Sequence, residues 1–382
     1  MKKLTCMCLL IMLLPACSNF VIEPVLDIDM PLNQSLFAYD GIMMSEKDIF
    51  SLSEKQETEF FNEYAKLLQK GLARHEALAA YLQRLKNNFT FYGETNVAQK
   101  SFSEKQGNCL SLSILTTALT RLVGLETSYR EVTSSPVFQK NNNFISSSSH
   151  VQTIIYDPNF VPEKGLFYLS KPGIVIDYFP TKNSQQGPKF TFKKFLSMYY
   201  RNIAGDALMD KNPNKAFAYG EQALKVLPSS VEAINFMALL HKTQSDMKTS
   251  EQLYKLGMSL DKSNIQIIHN YMILLAKQGR YQEVDFYQNK MNSLDNPNPY
   301  LWLEQAYQSA ENPEQAEIYY KKALQNAPYL QEAYIGLAKI YYKRNNKKRA
   351  KEMVENALKW SYKKEEKQLY KRKLSLLSAL NT

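Results

Sequence analysis

Apolar positions along the chain change period more than once, and each change marks an element. From Ser53 the spacing is helical, with Phe60, Tyr64 and Leu67 leading to Gly71, then Leu72, Ala79, Tyr81, Leu82 and Leu85. That pattern predicts two amphipathic helices. A polar connection follows, anchored by Phe89, Phe91, Tyr92 and Phe102, and leads into GNCLSLSILTTALTRLVGLE, residues 107–126. Here Leu112, Leu115, Leu119 and Leu122 keep the helical period until Gly124 stops it. Beyond Gly124 the period drops to two, so that TSYREVTSS, HVQTIIY, GLFYL and GIVIDYFP read as strands, with a Ser/Asn-rich loop between the first pair. Residues 180–191, PTKNSQQGPKFT, read as a linker, and residues 18–50 show no sustained period.

Past the linker the sequence repeats. Ala216, Ser250, Val284, Ala316 and Ala350 stand at intervals of 34, 34, 32 and 34 residues, and seven residues after each come Ala223, Gly257, Met291, Ala323 and Ala357. Pro228 and Pro328 stand twelve residues after the first and fourth of the series. Small residues at these points let paired helices pack closely, and proline ends the second helix of a pair. The pattern resembles tetratricopeptide repeats, about five units between residues 198 and 362, closed by a helix in KEEKQLYKRKLSLLSAL with a polar outer face. Such solenoids present a concave surface to a peptide or partner helix.

The N-terminus changes where the chain is expected to work. Lys2 and Lys3 precede an apolar run from Leu4 to Leu14, too short to span a bilayer as a mature helix and fitting a secretion signal. Leu14-Pro15-Ala16-Cys17 resembles the lipobox of bacterial lipoproteins. The resemblance implies cleavage after residue 16, acylation of Cys17 and, with Ser18 following, sorting to the periplasmic face of the outer membrane of a Gram-negative cell. Of the four cysteines, Cys6 and Cys8 leave with the signal and Cys17 is blocked, so Cys109 is the one free thiol of the expected mature chain. An unpaired thiol in an oxidising compartment is either buried or used.

Use is chemically reasonable at that position. A cysteine in the first turn of a helix meets unpaired N–H groups and the positive end of the macrodipole, which favour thiolate. The other reading is a small buried hydrophobe. His150 stands at a loop-to-strand junction downstream, while His75 lies in an upstream helix and His241 and His269 fall in the repeats. Asp177 lies between Val175 and Phe179 on one strand face, where a carboxylate needs a partner.

Together, GNCLSLSILTTALTRLVGLETSYREV, His150 at a strand start and IVIDYFPT resemble the transglutaminase-like superfamily of papain-type thiol enzymes over roughly residues 55–185. The resemblance implies Cys109 as nucleophile, His150 as base and Asp177 as the residue that orients the imidazole, with Asp157 a nearer alternative acid. A thiolate attacks an amide carbonyl, imidazolium protonates the leaving amine, and the Cys109 N–H serves as an oxyanion donor. Tyr92 and Gln106 are candidates for a second donor.

The expected organisation is a signal peptide over 1–16, a tether and lead-in over 17–52, an α+β transglutaminase-like domain over 53–190 and an all-α repeat solenoid over 198–382. The expected function is that of a lipid-anchored thiol-dependent acyl-transfer enzyme, with repeats recruiting a peptide or protein substrate or a protein partner. Hydrolysis, transfer and deamidation share one thioester and stay open, with hydrolysis preferred because water is abundant in the periplasm. The alternative is a non-catalytic envelope scaffold in which both domains bind partner proteins. The net charge of +10 is partly local, with thirteen Lys or Arg against four Glu from Lys343 to Lys373. That run reads as a solvated helical face, with an anionic-glycan surface as a further possibility. No metal-ligand spacing and no phosphate loop occur, so no cofactor is expected, and nucleic acid is not an expected partner.

Overall fold

A computed structural model describes residues 28–39, 41–91, 94–133, 139–141, 144–146, 150–163, 165–166, 168, 171–178, 185–294, 299–361 and 364–379. The signal peptide and Cys17 lie outside the described residues.

The N-terminal region is α+β. Its helices are α1 (Glu46–Phe50), α2 (Glu54–Gln69) and α3 (Arg74–Asn87). Strand β1 (Thr90–Phe91), helix α4 (Ala98–Glu104) and strand β2 (Gln106–Gly107) lead to α5 (Cys109–Leu122). Next come β3 (Thr127–Thr133), the small hairpin β4 (Gln139–Asn141) and β5 (Phe144–Ser146), then β6 (His150–Tyr156), β7 (Gly173–Ile176) and β8 (Gln185–Phe190). One antiparallel sheet runs in the order β7-β6-β3-β8, and β1 pairs with β2 in parallel.

Burial explains why α5 sits against this sheet. Every residue from Leu110 to Thr120 is buried, and Leu112, Leu115 and Leu119 share a core with Val151 and Ile155 of β6. A helix apolar all round is a core element. Several of its hydroxyls are bonded internally: Tyr178 Oη bonds Thr116 Oγ1 at 2.7 Å and Thr153 Oγ1 at 3.1 Å, tying α5 to β6, and Thr117 Oγ1 meets Tyr129 Oη at 2.9 Å.

Two strand expectations change. The presumed linker contains β8, an edge strand whose only partner among the described strands is β3. Its polar residues and Pro188 suit an edge, where a missing N–H breaks no second ladder. Gly165, Leu166 and Tyr168 of GLFYL, by contrast, are not in a strand, and Phe167 and Leu169 lie outside the described residues.

The second half is an all-α helical-repeat solenoid. Its pairs are α6 (Phe192–Met209) with α7 (Pro213–Val226), α8 (Val231–Thr243) with α9 (Met247–Leu260), and α10 (Ile265–Lys277) with α11 (Tyr281–Ser293). They continue as α12 (Pro299–Gln308) with α13 (Pro313–Asn326), α14 (Gln331–Lys343) with α15 (Lys347–Trp360), and the terminal α16 (Lys364–Ala379). All five small-residue positions fall in the second helix of a pair, and Ala216, Ser250, Ala316 and Ala350 are buried there. Gly257 shows why size matters, because an added Cβ would run into Ile267 Cδ1 of the next helix.

Small acid-centred clasps join successive pairs. Arg280 bonds Glu251 of α9 through Nη1 and Nη2 at 2.8 and 3.1 Å and Glu283 through Nε at 2.6 Å, while Tyr271 Oη donates to Glu251 at 2.9 Å. Glu317 of α13 repeats the arrangement with Tyr341, Lys321 and Arg344.

The two halves share one apolar core. Tyr129 of β3 stacks on Phe195 of α6 with centroids 4.1 Å apart, and both belong to the core that continues into the repeats.

Candidate functional site

The N-terminus of α5 is held from several directions. Gly107 has φ +140°, and an added Cβ would sit 2.6 Å from Ser111 Oγ, so only glycine fits. Asn108 then caps the helix: its Oδ1 accepts from Ser111 N at 3.0 Å, and Ser111 Oγ accepts from Asn108 N at 3.2 Å, a reciprocal capping box. Ser111 Oγ also accepts from Asn96 N at 2.8 Å. The Asn108 amide donates to Thr95 Oγ1 at 2.7 Å, and Asn202 of α6 donates to that same oxygen at 3.3 Å. Thr95 therefore links the cap of the cysteine helix to the first helix of the array.

Cys109 is the first residue of α5 and is partly exposed, and its thiol faces the backbone N–H of Val151. The helix start favours thiolate, but burial dominates and pushes the thiol up, outweighing the N–H groups of Val151, Leu110 and Cys109 itself. The expected lowering at the helix N-terminus is thus reversed, because protein packed around Sγ removes the water that would solvate its charge.

His150 opens β6 with its backbone opposite Val132, directly before Val151. Its side chain lies outside the described residues. Asp177 follows β7, and Ile176 pairs with Thr153, which sets Asp177 beside Gln152. There Asp177 Oδ2 accepts from Gln152 Nε2 at 2.8 Å and the Asp177 carbonyl accepts from Lys86 Nζ at 2.7 Å. The expected apolar enclosure is absent on one side, since Val175 is 42% exposed. Phe179 lies outside the described residues.

Other candidates separate. Asp157 follows β6 at the end away from His150, about 20 Å along the strand, where its Oδ1 faces His75 Nδ1 at 3.6 Å. The Gln106 amide is taken by Glu104, and Tyr92 lies outside the described residues. His241 and His269 lie in α8 and α10. Sequence reasoning missed Gln152 and Thr95. Only the Asn-x-x-Ser spacing of Asn108 and Ser111 was a readable sign of how the site is held.

A second cluster lies on the first helices of the repeats. Burial, with Lys242 adding, pushes His269 down to about 4, and burial together with Lys277 holds Lys242 below the usual lysine range. Glu232 is raised by burial but held low overall by Arg201 and Lys194. The Asn270 amide donates to Asn235 Oδ1 at 3.0 Å, bridging α8 and α10 beside these cations. Among the described residues no group of three or more His, Cys, Asp or Glu is arranged to hold a metal ion, and no helix is long and apolar enough to cross a membrane.

Residues 295–370 match the sequence family described as tetratricopeptide repeat. No match is found among curated proteins. Among solved structures, the chain is similar to PilF of Pseudomonas aeruginosa at 20% identity, covering 50% of this chain and 87% of that one, with a TM-score of 0.34. The structure of PilW, described as a widely conserved type IV pilus biogenesis factor, is similar at 19% identity over 48% of this chain and 86% of that one, with a TM-score of 0.32. Yeast Tom70 is similar at 16% identity over 48% of this chain but only 40% of its own length, with a TM-score of 0.37.

Proposed function

We propose that this chain is a protein-interaction scaffold whose helical array docks a protein or peptide partner. The observation that carries the reading is the pair of lysines on the first helices, Lys242 of α8 and Lys277 of α10, close enough that Lys277 adds to the burial that lowers Lys242. Like charges held together at a partly desolvated surface favour an anionic ligand, because a bound carboxylate relieves their repulsion. The partner is therefore an acidic peptide segment. The tetratricopeptide match over residues 295–370 supports the general reading, since stacked helix pairs build extended binding surfaces. The test is an array of acidic and neutral peptides probed with purified protein, wild type against Lys242→Glu/Lys277→Glu. Selective binding of acidic peptides, lost in the double variant, supports the proposal. Binding indifferent to both peptide charge and the substitutions contradicts it.

A second reading, thiol-dependent acyl transfer through Cys109, His150 and Asp177, draws on one observation: the thiol meets the N–H of Val151, the residue after His150. It includes a transglutaminase-like fold for the N-terminal region. The raised thiol pKa weighs against it, because a nucleophile at neutral pH needs thiolate. A conformational step that brings water or a cation to Sγ would be required. Both readings place the chain at the periplasmic face of the outer membrane, anchored through lipid on Cys17. Metabolic labelling with an alkyne fatty acid tests the anchor: label on the wild type, lost in Cys17→Ser, supports it, and label retained in that variant contradicts it.

A further inference from the structure

The segment ahead of α1 lies across the array rather than apart from it. Asn33 Nδ2 donates to Asp246 Oδ2 at 3.0 Å, at the start of α9, and Gln34 Nε2 donates to Glu221 Oε1 of α7 at 2.9 Å. Ala38 N donates to Asn214 Oδ1 at 3.2 Å. Between these bonds a 3-10 turn, Gln34–Leu36, sets Phe37 flat on Phe217, with centroids 4.2 Å apart and planes at 13°, and edge-on to His241 at 5.4 Å. Ser35 Oγ, at 2.7 Å from Asn33 Oδ1, holds the Asn33 amide in place.

The receiving surface differs from the junctions at α9 and α13. Glu251 and Glu317 each follow the small residue of their helix and clasp an arginine from the next pair. The same position in α7, after Ala216, is Phe217. Instead of an acid clasp, the junction of the first and second pairs carries an aromatic slot. His241 forms its floor, fully buried, with neither ring nitrogen in a hydrogen bond and Nδ1 3.3 Å from Asp246 Oδ2. Phe37 covers that floor. Yet no residue from Ile28 to Tyr39 is itself fully buried: Met30, Leu32, Phe37 and Tyr39 pack against the core half-covered, while the slot beneath is built into it.

We propose that the slot formed by Asn214, Phe217, Glu221, His241 and Asp246 is a peptide-docking site that residues 30–39 occupy in cis. The partner that displaces the strap is a segment of the same chemistry, with two adjacent side-chain hydrogen-bond donors and an aromatic ring three residues beyond them. The donors answer the carboxylates Asp246 and Glu221, and the ring answers Phe217. Because the strap is tethered, it competes at an effective concentration in the millimolar range, so an isolated peptide binds the slot poorly until the strap is weakened. The slot is a different site from the cation group on α8 and α10, and each stands or falls without the other.

The test uses full-length protein and a fluorescent peptide of residues 29–40 as probe. Asn33→Ala/Phe37→Ala should bind the peptide about tenfold or more tighter than wild type, with binding removed by adding Phe217→Ala. No binding to a folded Asn33→Ala/Phe37→Ala protein, or binding unaffected by Phe217→Ala, overturns the proposal. Hydrogen exchange on the wild type decides the matter if that variant does not fold. The Ala38 amide should exchange at least tenfold faster than amides in the middle of α8, through local opening of the strap. Equal protection means the strap opens only with the whole fold and is no exchangeable ligand.

Discussion

Asn108 and Ser111 cap the cysteine helix reciprocally, side chain to backbone in both directions, at 3.0 and 3.2 Å. Replacing Asn108 by alanine removes the cap and leaves Thr95 Oγ1 with Asn202 as its remaining amide partner. The expected loss is about 1–2 kcal/mol in chemical denaturation. Asn108→Asp should restore most of it, because a carboxylate caps equally well.

Asp206 of α6 makes stability fall as pH rises. Burial, with Asp210 and Glu94 adding to it, pushes this carboxyl up to about 6. The unfolded chain ionises near pH 4, so between about pH 4 and 6 the native state holds more protons and stability drops with rising pH. Asp206→Asn should flatten that slope and stabilise the protein by about 1–3 kcal/mol at pH 7, read from urea midpoints at pH 4.5 and pH 7.

The clasp at Glu251 has the opposite sign. Arg280 foremost, with Lys255 and Tyr271 assisting, holds this carboxyl down at about 2 against burial. Its stabilisation is complete above the unfolded value near 4.3 and is lost as pH falls towards 2. Glu251→Gln should cost about 1–2 kcal/mol at pH 7, after allowance for the partly exposed Arg280, and the cost should vanish near pH 2. Thermal melts of both proteins at pH 7, 4 and 2.5 check this.

The periodic parts of the fold were legible in the sequence, and the parts that depend on partners were not. Leu112, Leu115 and Leu119 are buried in α5, and the Ala216 series falls on the packed face of each second helix, because both signals are intrinsic to helical spacing. Strand β8 was hidden because an edge strand needs little apolar content, and Gln185, Gln186 and Lys189 look like linker residues until Thr133, Val132 and Arg130 pair with them. The strap was hidden for a similar reason. Phe37 has no periodic neighbours, and its meaning appears only against Phe217, which is 180 residues away. At the candidate site, cysteine at a helix start was readable. The thiol environment was not, since it depends on protein brought to Sγ by β6.

The most direct test of a binding scaffold against a thiol enzyme is the pH dependence of iodoacetamide labelling at Cys109 in folded protein, wild type beside His150→Ala. The scaffold account predicts slow labelling with an apparent pKa above about 8.5 in both, as burial requires. Rapid labelling at pH 6, with an apparent pKa below about 7.5 that rises in His150→Ala, would contradict it and establish a Cys-His pair.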